Sequence, residues 1–383
     1  MALDASTFNL LLSSVRRYVH ERLIPLEAQV SETNAIPEEV VGEIRELGLF
    51  GLSIAEEYGG LGLNMEEEVQ VVFELGQTSP AFRSIAGTNI GIGSQAIVLA
   101  GTKEQKERYL PRLASGELIG SFALTEPDAG SDALSLRTSA KKEGEGYILN
   151  GTKRYITNAP VAGLFSVMAR TRPEKRADSI SCFLVEAGMP GITLGKPDKK
   201  MGQAGALTSD VVFDNCRVPQ AALLGGAEGN GFRTAMKVLD KGRLHIAALC
   251  VGIAERLIFE SVQYAANRKQ FDRPISEFQL IQAMIADSQA EMYAAKCMVL
   301  DAARKRDRGE NTTLEAASAK MFASEMVGRV ADRAVQIHGG AGYMAEYPVE
   351  RFYRDVRLFR IFEGTTQVLQ LVVARETIKA LTS

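Results

Sequence analysis

The four cysteines of this 383-residue chain, Cys182, Cys216, Cys250 and Cys297, stand far apart and never at C-x-x-C spacing. Neither a disulfide framework nor a thiolate zinc site follows, and a reducing cytoplasm suits such usage. No run of about 18 uninterrupted apolar residues occurs, which argues against membrane insertion. The opening MALDASTFNLLLSSVRRYVHERL mixes apolar and charged residues. It reads as an amphipathic helix, not a signal peptide. A basic block or stripe is missing too: Lys plus Arg total 44 against 47 for Asp plus Glu, a net charge of −3. A phosphate backbone would find little to attract it, so no nucleic-acid partner is expected. Internal repeats, low-complexity tracts and the Rossmann and Walker glycine spacings are likewise absent.

What is present is ordinary globular composition, 46% hydrophobic and 24% charged. The length suits roughly two to three domains. Three textures divide the chain, with boundaries placed at 1–118, 119–227 and 228–383. In the first, apolar Phe8, Leu11, Leu12, Val15, Tyr18, Val19 and Leu23 recur at helical spacing until Pro25 stops the run. Helical patterns follow at 38–47, 66–75 and 103–113, and 85–100 reads as one glycine-rich buried helix. The second texture has short β-branched and aromatic segments at 147–149, 153–157, 165–169, 180–185 and 210–213. Turn signals separate them, which predicts an antiparallel β domain. After the glycine-rich linker 225–231 the helical period returns. Its long stripes predict an antiparallel four-helix bundle. The fold class is therefore α+β: a helical domain, a β domain and a helical bundle.

Five segments carry chemistry beyond this periodicity. Phe122 to Asp132 runs a strand into a loop of hydroxyls, acids and small residues, whose exposed N–H groups suit a polar ring or phosphate. Lys153-Arg154-Tyr155-Ile156-Thr157-Asn158 places an aromatic ring and a hydroxyl at a strand end. Arg268 to Phe271, followed by Gln279, sets a guanidinium near aromatic rings, a combination for pyrophosphate and a stacked base. Gln336-Ile337-His338-Gly339-Gly340 offers glycine backbone to a close ligand, or simply a helix C-cap. Lastly, Phe362-Glu363-Gly364-Thr365-Thr366-Gln367 sets a carboxylate among apolar residues before a helix that Thr365 or Thr366 would cap. Apolar surroundings raise a carboxyl pKa towards that of a general base working near neutral pH. The plainer alternative is a helix-start glutamate answering the dipole.

Taken together, T-E-P-x-A-G-S-D, K-R-Y-I-T-N, R-x-x-F, Q-I-H-G-G-x-G-Y and F-E-G-T-T-Q resemble the acyl-CoA dehydrogenase family in order and spacing, over nearly the whole chain. The turn Glu57-Tyr58-Gly59-Gly60 belongs to the same resemblance. It implies FAD as cofactor, an acyl-CoA substrate, a homotetramer built from dimers, and electron-transferring flavoprotein as electron acceptor. It also implies site residues. Phe122, Leu124, Thr125, Gly130 and Ser131 would line the flavin, with Ser131 also near the CoA arm. Tyr155, Ile156 and Thr157 would cover the opposite flavin side. Arg268, Gln270, Phe271 and Gln279 would bind the ADP half, and Gln336, Ile337, Gly339 and Gly340 would reach the FAD of a neighbouring subunit. Thr365 and Gln367 would complete the flavin site. Asp240, Arg243 and Gly364 would contact acyl-CoA.

Glu363 matches the catalytic base of most members. Some relatives carry that carboxylate at the position of Gly242 instead, and glycine there reinforces Glu363. The implied reaction is α-proton removal by Glu363 with β-hydride transfer to flavin N5, giving a trans-2-enoyl-CoA. Arg83 aligns with an arginine that binds the distal carboxylate in glutaryl-CoA dehydrogenases, which would suit an ω-carboxylated substrate. The plainer reading pairs Arg83 with a local acid or faces it to solvent. An oxidase, a flavin monooxygenase and a catalytically silent acyl-CoA-binding protein are the competing readings. Length argues mildly against the first, and the presence of Glu363 against the other two.

Overall fold

Asp4 begins the first helix by accepting hydrogen bonds from the Ser6 and Thr7 amides, satisfying donors that a helix start leaves unpaired. The computed structural model describes residues 4–382, so the domain limits Met1 and Ser383 lie outside the described residues. The helix α1 (Ala5–Tyr18) does not end before Pro25. It passes through a π-helical turn, Val19–Leu23, into α2 (Ile24–Thr33). The wider turn accommodates a proline ring that would clash with the carbonyl four residues back and that donates no N–H. Then come α3 (Glu38–Glu46), α4 (Met65–Leu75), α5 (Pro80–Ile90), α6 (Gln95–Ala100) and α7 (Lys103–Ala114).

The single helix expected over 85–100 is two. The chain leaves α5 at Gly91 and re-enters at Gln95, with the Gly93 amide donating to the Thr88 carbonyl at 2.7 Å. Glycine permits this tight return, since a Cβ on Gly93 would stand 2.8 Å from that carbonyl oxygen.

Seven strands form the middle sheet: β1 (Gly120–Ala123), β2 (Ser139–Glu143), β3 (Gly146–Thr157), β4 (Leu164–Arg170), β5 (Ile180–Glu186), β6 (Ile192–Leu194) and β7 (Thr208–Pro219). Their order is β1-β4-β2-β3-β7-β6, with β5 on the other edge of β4. The sheet is mixed, unlike the antiparallel unit expected. β1 runs parallel to β4, because the connection between them carries the whole β2–β3 hairpin and returns the chain to the end of the sheet where β1 began. Two segments expected to be separate, 147–149 and 153–157, are one 12-residue strand interrupted by bulges.

The last third holds α8 (Gly231–Asn267), a two-residue hairpin β8 (Lys269–Gln270) and β9 (Arg273–Pro274), α9 (Gln279–Asp307), α10 (Thr313–His338), α11 (Pro348–Val356) and α12 (Thr366–Thr382). Helices α8, α9 and α10 share one apolar core with residues of α4, so the N-terminal domain packs directly onto the bundle. A buried charge cluster ties the same parts together. Glu27 on α2 accepts from Arg351 on α11 at 2.5 Å and from Arg256 on α8 at 3.3 Å.

The α4–α8 crossing is set by two glycines. A Cβ on Gly252 would overlap the Phe73 carbonyl and stand 2.8 Å from Gly76 Cα. Both obstacles are backbone, which cannot swing aside. Gly252→Ala is therefore expected to cost about 1–3 kcal/mol, seen as a lower midpoint of chemical unfolding, while an unchanged midpoint would mean the helices separate freely.

Candidate active site

The turn before α12 carries Glu363 in left-handed backbone geometry, φ 51°, followed by Gly364 at φ 98°. A non-glycine residue holds that conformation only where its surroundings enforce it. Lys320 on α10 supplies the enforcement. Its buried ammonium donates to the carbonyls on either side, Phe362 at 3.0 Å and Gly364 at 2.6 Å. Arg243 Nε donates to the Glu363 carbonyl at 3.5 Å, and Thr365 caps α12 through the Val368 amide at 3.2 Å.

With the backbone pinned, the Glu363 side chain points inward, and its Oε2 is enclosed with no hydrogen-bond partner among the described residues. Burial pushes its carboxyl pKa up, opposed by the fields of Arg83, Lys320 and Arg243. Burial also lowers Lys320 to about 8, with Glu363 the strongest opposing influence. Opposite Glu363 stands Gly242 on α8, where a Cβ would collide with Oε2. A carboxylate side chain at 242 and Glu363 in this pose cannot coexist.

The two β-domain motifs meet through a buried ion pair. Lys153 Nζ donates to Glu126 Oε1 at 2.8 Å and to the Leu124 carbonyl at 3.1 Å. The remaining Glu126 capacity takes the amides of Arg137 and Thr138 at 2.5 and 2.9 Å. This holds the loop after β1 in shape, with Thr125 half-buried and Gly130 and Ser131 exposed, while Phe122 and Leu124 pack inward. A bulge between Lys153 and Ile156 turns Tyr155 outward at φ 58° and 62% exposed. Ile156 stays buried, so only its backbone can touch a ligand there. Thr157 is half-buried, and its carbonyl accepts from Ser121 Oγ.

A concavity of about 640 Å³ lies at the far end of α8 and α10, lined by Arg268, Gln270, Ile337, Gly339 and Gly340. Phe271 and Gln279 are exposed on the adjoining hairpin and α9, and Gln336 and Gln367 are exposed on α10 and α12. No atom stands within 4 Å of where a Cβ on Gly339 or Gly340 would project. A guanidinium, an aromatic ring and open glycine backbone fit the pyrophosphate and base of a dinucleotide cofactor.

Family models for the acyl-CoA dehydrogenase N-terminal, middle and C-terminal domains match residues 7–117, 121–216 and 229–378. The chain belongs to the acyl-CoA dehydrogenase family. It is an FAD-dependent oxidoreductase acting on CH–CH bonds. Acryloyl-CoA reductase (NADH) of Anaerotignum propionicum is 43% identical, covering 95% of this chain and 92% of its own length. The caffeyl-CoA reductase–Etf complex subunit CarC of Acetobacterium woodii is 40% identical over 92% of each chain. A solved glutaryl-CoA dehydrogenase in complex with glutaryl-CoA superposes with a TM-score of 0.94 at 34% identity, covering 99% of this chain and 96% of its own.

In this acyl-CoA dehydrogenase Arg83, on α5, neither faces open solvent nor pairs with a local acid. It is half-buried, its Nε enclosed without a partner among the described residues, and its Nη2 lies 3.3 Å from His245 Nδ1. Asp240 and Arg243 pair with one another at 2.6 Å, and Thr313 donates to the other Asp240 oxygen at 3.1 Å. Four polar residues of the site escaped the sequence reading: Glu68, Lys241, His245 and Lys320. A signal existed, since Lys241 and His245 are one helical turn apart and next to the apolar stripe of α8.

Lys153→Met would leave Glu126 as an unpaired buried carboxylate, a loss of about 3–5 kcal/mol. The purified variant is expected to carry less flavin per chain than wild type, measured as the ratio of visible to ultraviolet absorbance. Full flavin content and unaltered stability would show that the pair does not shape this loop.

Proposed function

We propose that this enzyme removes the α-proton and β-hydride of an acyl-CoA thioester to give a trans-2-enoyl-CoA, with Glu363 as base. The observation that carries this reading is the enclosed, unpartnered Oε2 of Glu363, held on a pinned turn opposite the side-chain-free Gly242. A base must be ionised to act and weakly enough solvated to take a proton. Burial provides the second condition, and the surrounding cations moderate it enough to keep the first. Arg243 and Lys320 act on the turn's backbone, so the carboxylate meets the α-carbon from one fixed direction. Bound FAD supplies the acceptor of the β-hydride.

The loop 122–131 and Tyr155 to Thr157 would hold the flavin ring between them. Thr365 and Gln367 complete that site, and Arg268, Gln270, Phe271 and Gln279 hold the ADP half. Gln336, Ile337, Gly339 and Gly340, the last three lining the same concavity as Arg268 and Gln270, would serve the same FAD, reached across a subunit boundary in a homotetramer. Exposed Leu371, Ile378 and Leu381 on α12 support such association. Ser131, Gly364 and Arg243 meet the acyl-CoA. Electron-transferring flavoprotein is the electron acceptor, a reading supported by the complex to which CarC belongs. The same positions serve the reverse reaction, the direction in the name of acryloyl-CoA reductase. The reducing cytoplasm remains the compartment that four unpaired cysteines suit best.

One observation favours a second, narrower substrate. Arg83 presents a cation that no carboxylate among the described residues contacts directly, near enough to Glu363 for its field to act there, which suits an acyl chain ending in a carboxylate, as in glutaryl-CoA.

Glu363→Gln is expected to slow anaerobic bleaching of the flavin by acyl-CoAs about 10²- to 10⁴-fold with flavin content retained. Bleaching near the wild-type rate would remove Glu363 from the role. In wild type the bleaching rate should fall as pH drops through the raised Glu363 pKa, because protonation takes away the base. A rate independent of pH down to the ordinary carboxylate range would contradict that assignment.

A further inference from the structure

Behind Arg83 the protein buries three ionisable side chains that the chemistry at Glu363 leaves unused. Glu68 on α4 is 2% exposed, and Lys241 and His245 on α8 are 6% and 0% exposed. They form one line. Lys241 Nζ donates to Glu68 Oε1 at 2.8 Å, Glu68 Oε2 lies 2.8 Å from His245 Nε2, and His245 Nδ1 lies 3.3 Å from Arg83 Nη2.

The two ends decide where the ring's proton sits. A guanidinium has only donors and an ionised carboxylate only acceptors. His245 Nδ1 must therefore accept from Arg83, and Nε2 must carry the hydrogen that Glu68 accepts. A second ring proton would point at a guanidinium N–H. Burial favours the same neutral form, drawing His245 down to about 4.

A neutral ring in this place has an electrostatic consequence. Direct contact with Glu68 would cancel the charge of Arg83. With imidazole between them, and Lys241 occupying the other Glu68 oxygen, the guanidinium is oriented without being neutralised. Gly87, one turn along α5, leaves room for this pose: a Cβ there would stand 2.7 Å from the guanidinium.

We propose that Glu68, His245 and Lys241 are positioning residues that hold Arg83 as a charged guanidinium with no direct carboxylate contact, available to a substrate bound at Glu363, with His245 working as its Nε2–H tautomer. The inference rests on the reading of Arg83 as the receptor for a substrate's terminal carboxylate, and it names what sets that specificity.

Two measurements on the FAD-loaded enzyme test it. The chain has three histidines, so ¹⁵N-histidine spectra assigned with His245→Gln isolate the ring. The Nε2–H form is expected unchanged from about pH 8 to about pH 5.5, across the ordinary histidine range. An Nδ1–H form, or titration inside that range, overturns the relay. The second measurement is the ratio of bleaching efficiencies for glutaryl-CoA and butyryl-CoA. His245→Leu, which has no acceptor for Arg83, should lower the ratio about tenfold or more. His245→Gln, with one carbonyl and one amide in their places, should restore most of it. Equal losses on both thioesters, or failure of Gln to outperform Leu, would reduce His245 to a packing role and overturn the proposal. A wild type that shows no preference for glutaryl-CoA refutes the terminal-carboxylate reading alone, and the histidine spectrum then decides the relay.

Discussion

A glutamate kept out of water yet not neutralised is the constraint on which the centre of this molecule depends. Glu363 occupies a backbone conformation that an L-residue avoids unless held, and two peptide carbonyls bonded to one buried ammonium hold it. That arrangement demands a lysine on α10 at the right height, an open space on α8 at Gly242, and close packing of both helices against the turn. The bundle is thus more than a scaffold. Its interior spacing decides whether the carboxylate has somewhere to point.

The same logic recurs elsewhere in the buried interior. Glu27 with Arg256 and Arg351, Glu126 with Lys153, and Glu68 with Lys241 are all buried pairs joining elements distant in sequence. Desolvation offsets much of the attraction in such pairs, so their contribution is geometric more than energetic. Each is a contact that tolerates few alternative arrangements. Glu27 fastens the N-terminal helices to the bundle, Glu126 shapes the loop after β1, and Glu68 anchors the line that ends at Arg83.

Where sequence and structure part, local rules met tertiary demands. Pro25 signals a helix end, yet the chain absorbs it in a π turn because the apolar stripe on both sides is needed in one core. The stretch 85–100 is apolar enough to read as one buried helix despite its glycines, but Gly93 approaches Gly120 closely and the helix must break to allow it. The parallel pairing of β1 with β4 leaves no mark in either strand's composition, because strand direction is set by the intervening connections. Ile156 sits within a motif read as a cofactor contact, and its side chain belongs to the β-domain core.

By itself the sequence determined the three-part architecture, the family, the cofactor class, and the presence of Glu363 before a capped helix with glycine at 242. Those features are written in periodicity, composition and short contiguous motifs, which local chemistry largely dictates. Only the tertiary structure decided that Glu363 is enclosed and clamped by Lys320, that Lys153 is structural, and that Arg83 meets a histidine in place of an acid. The reason is separation along the chain. Arg83 and His245 are 162 residues apart, and Glu68 and His245 are 177. No local pattern encodes a partner at that distance, and only the packing of α4, α5 and α8 brings those side chains together.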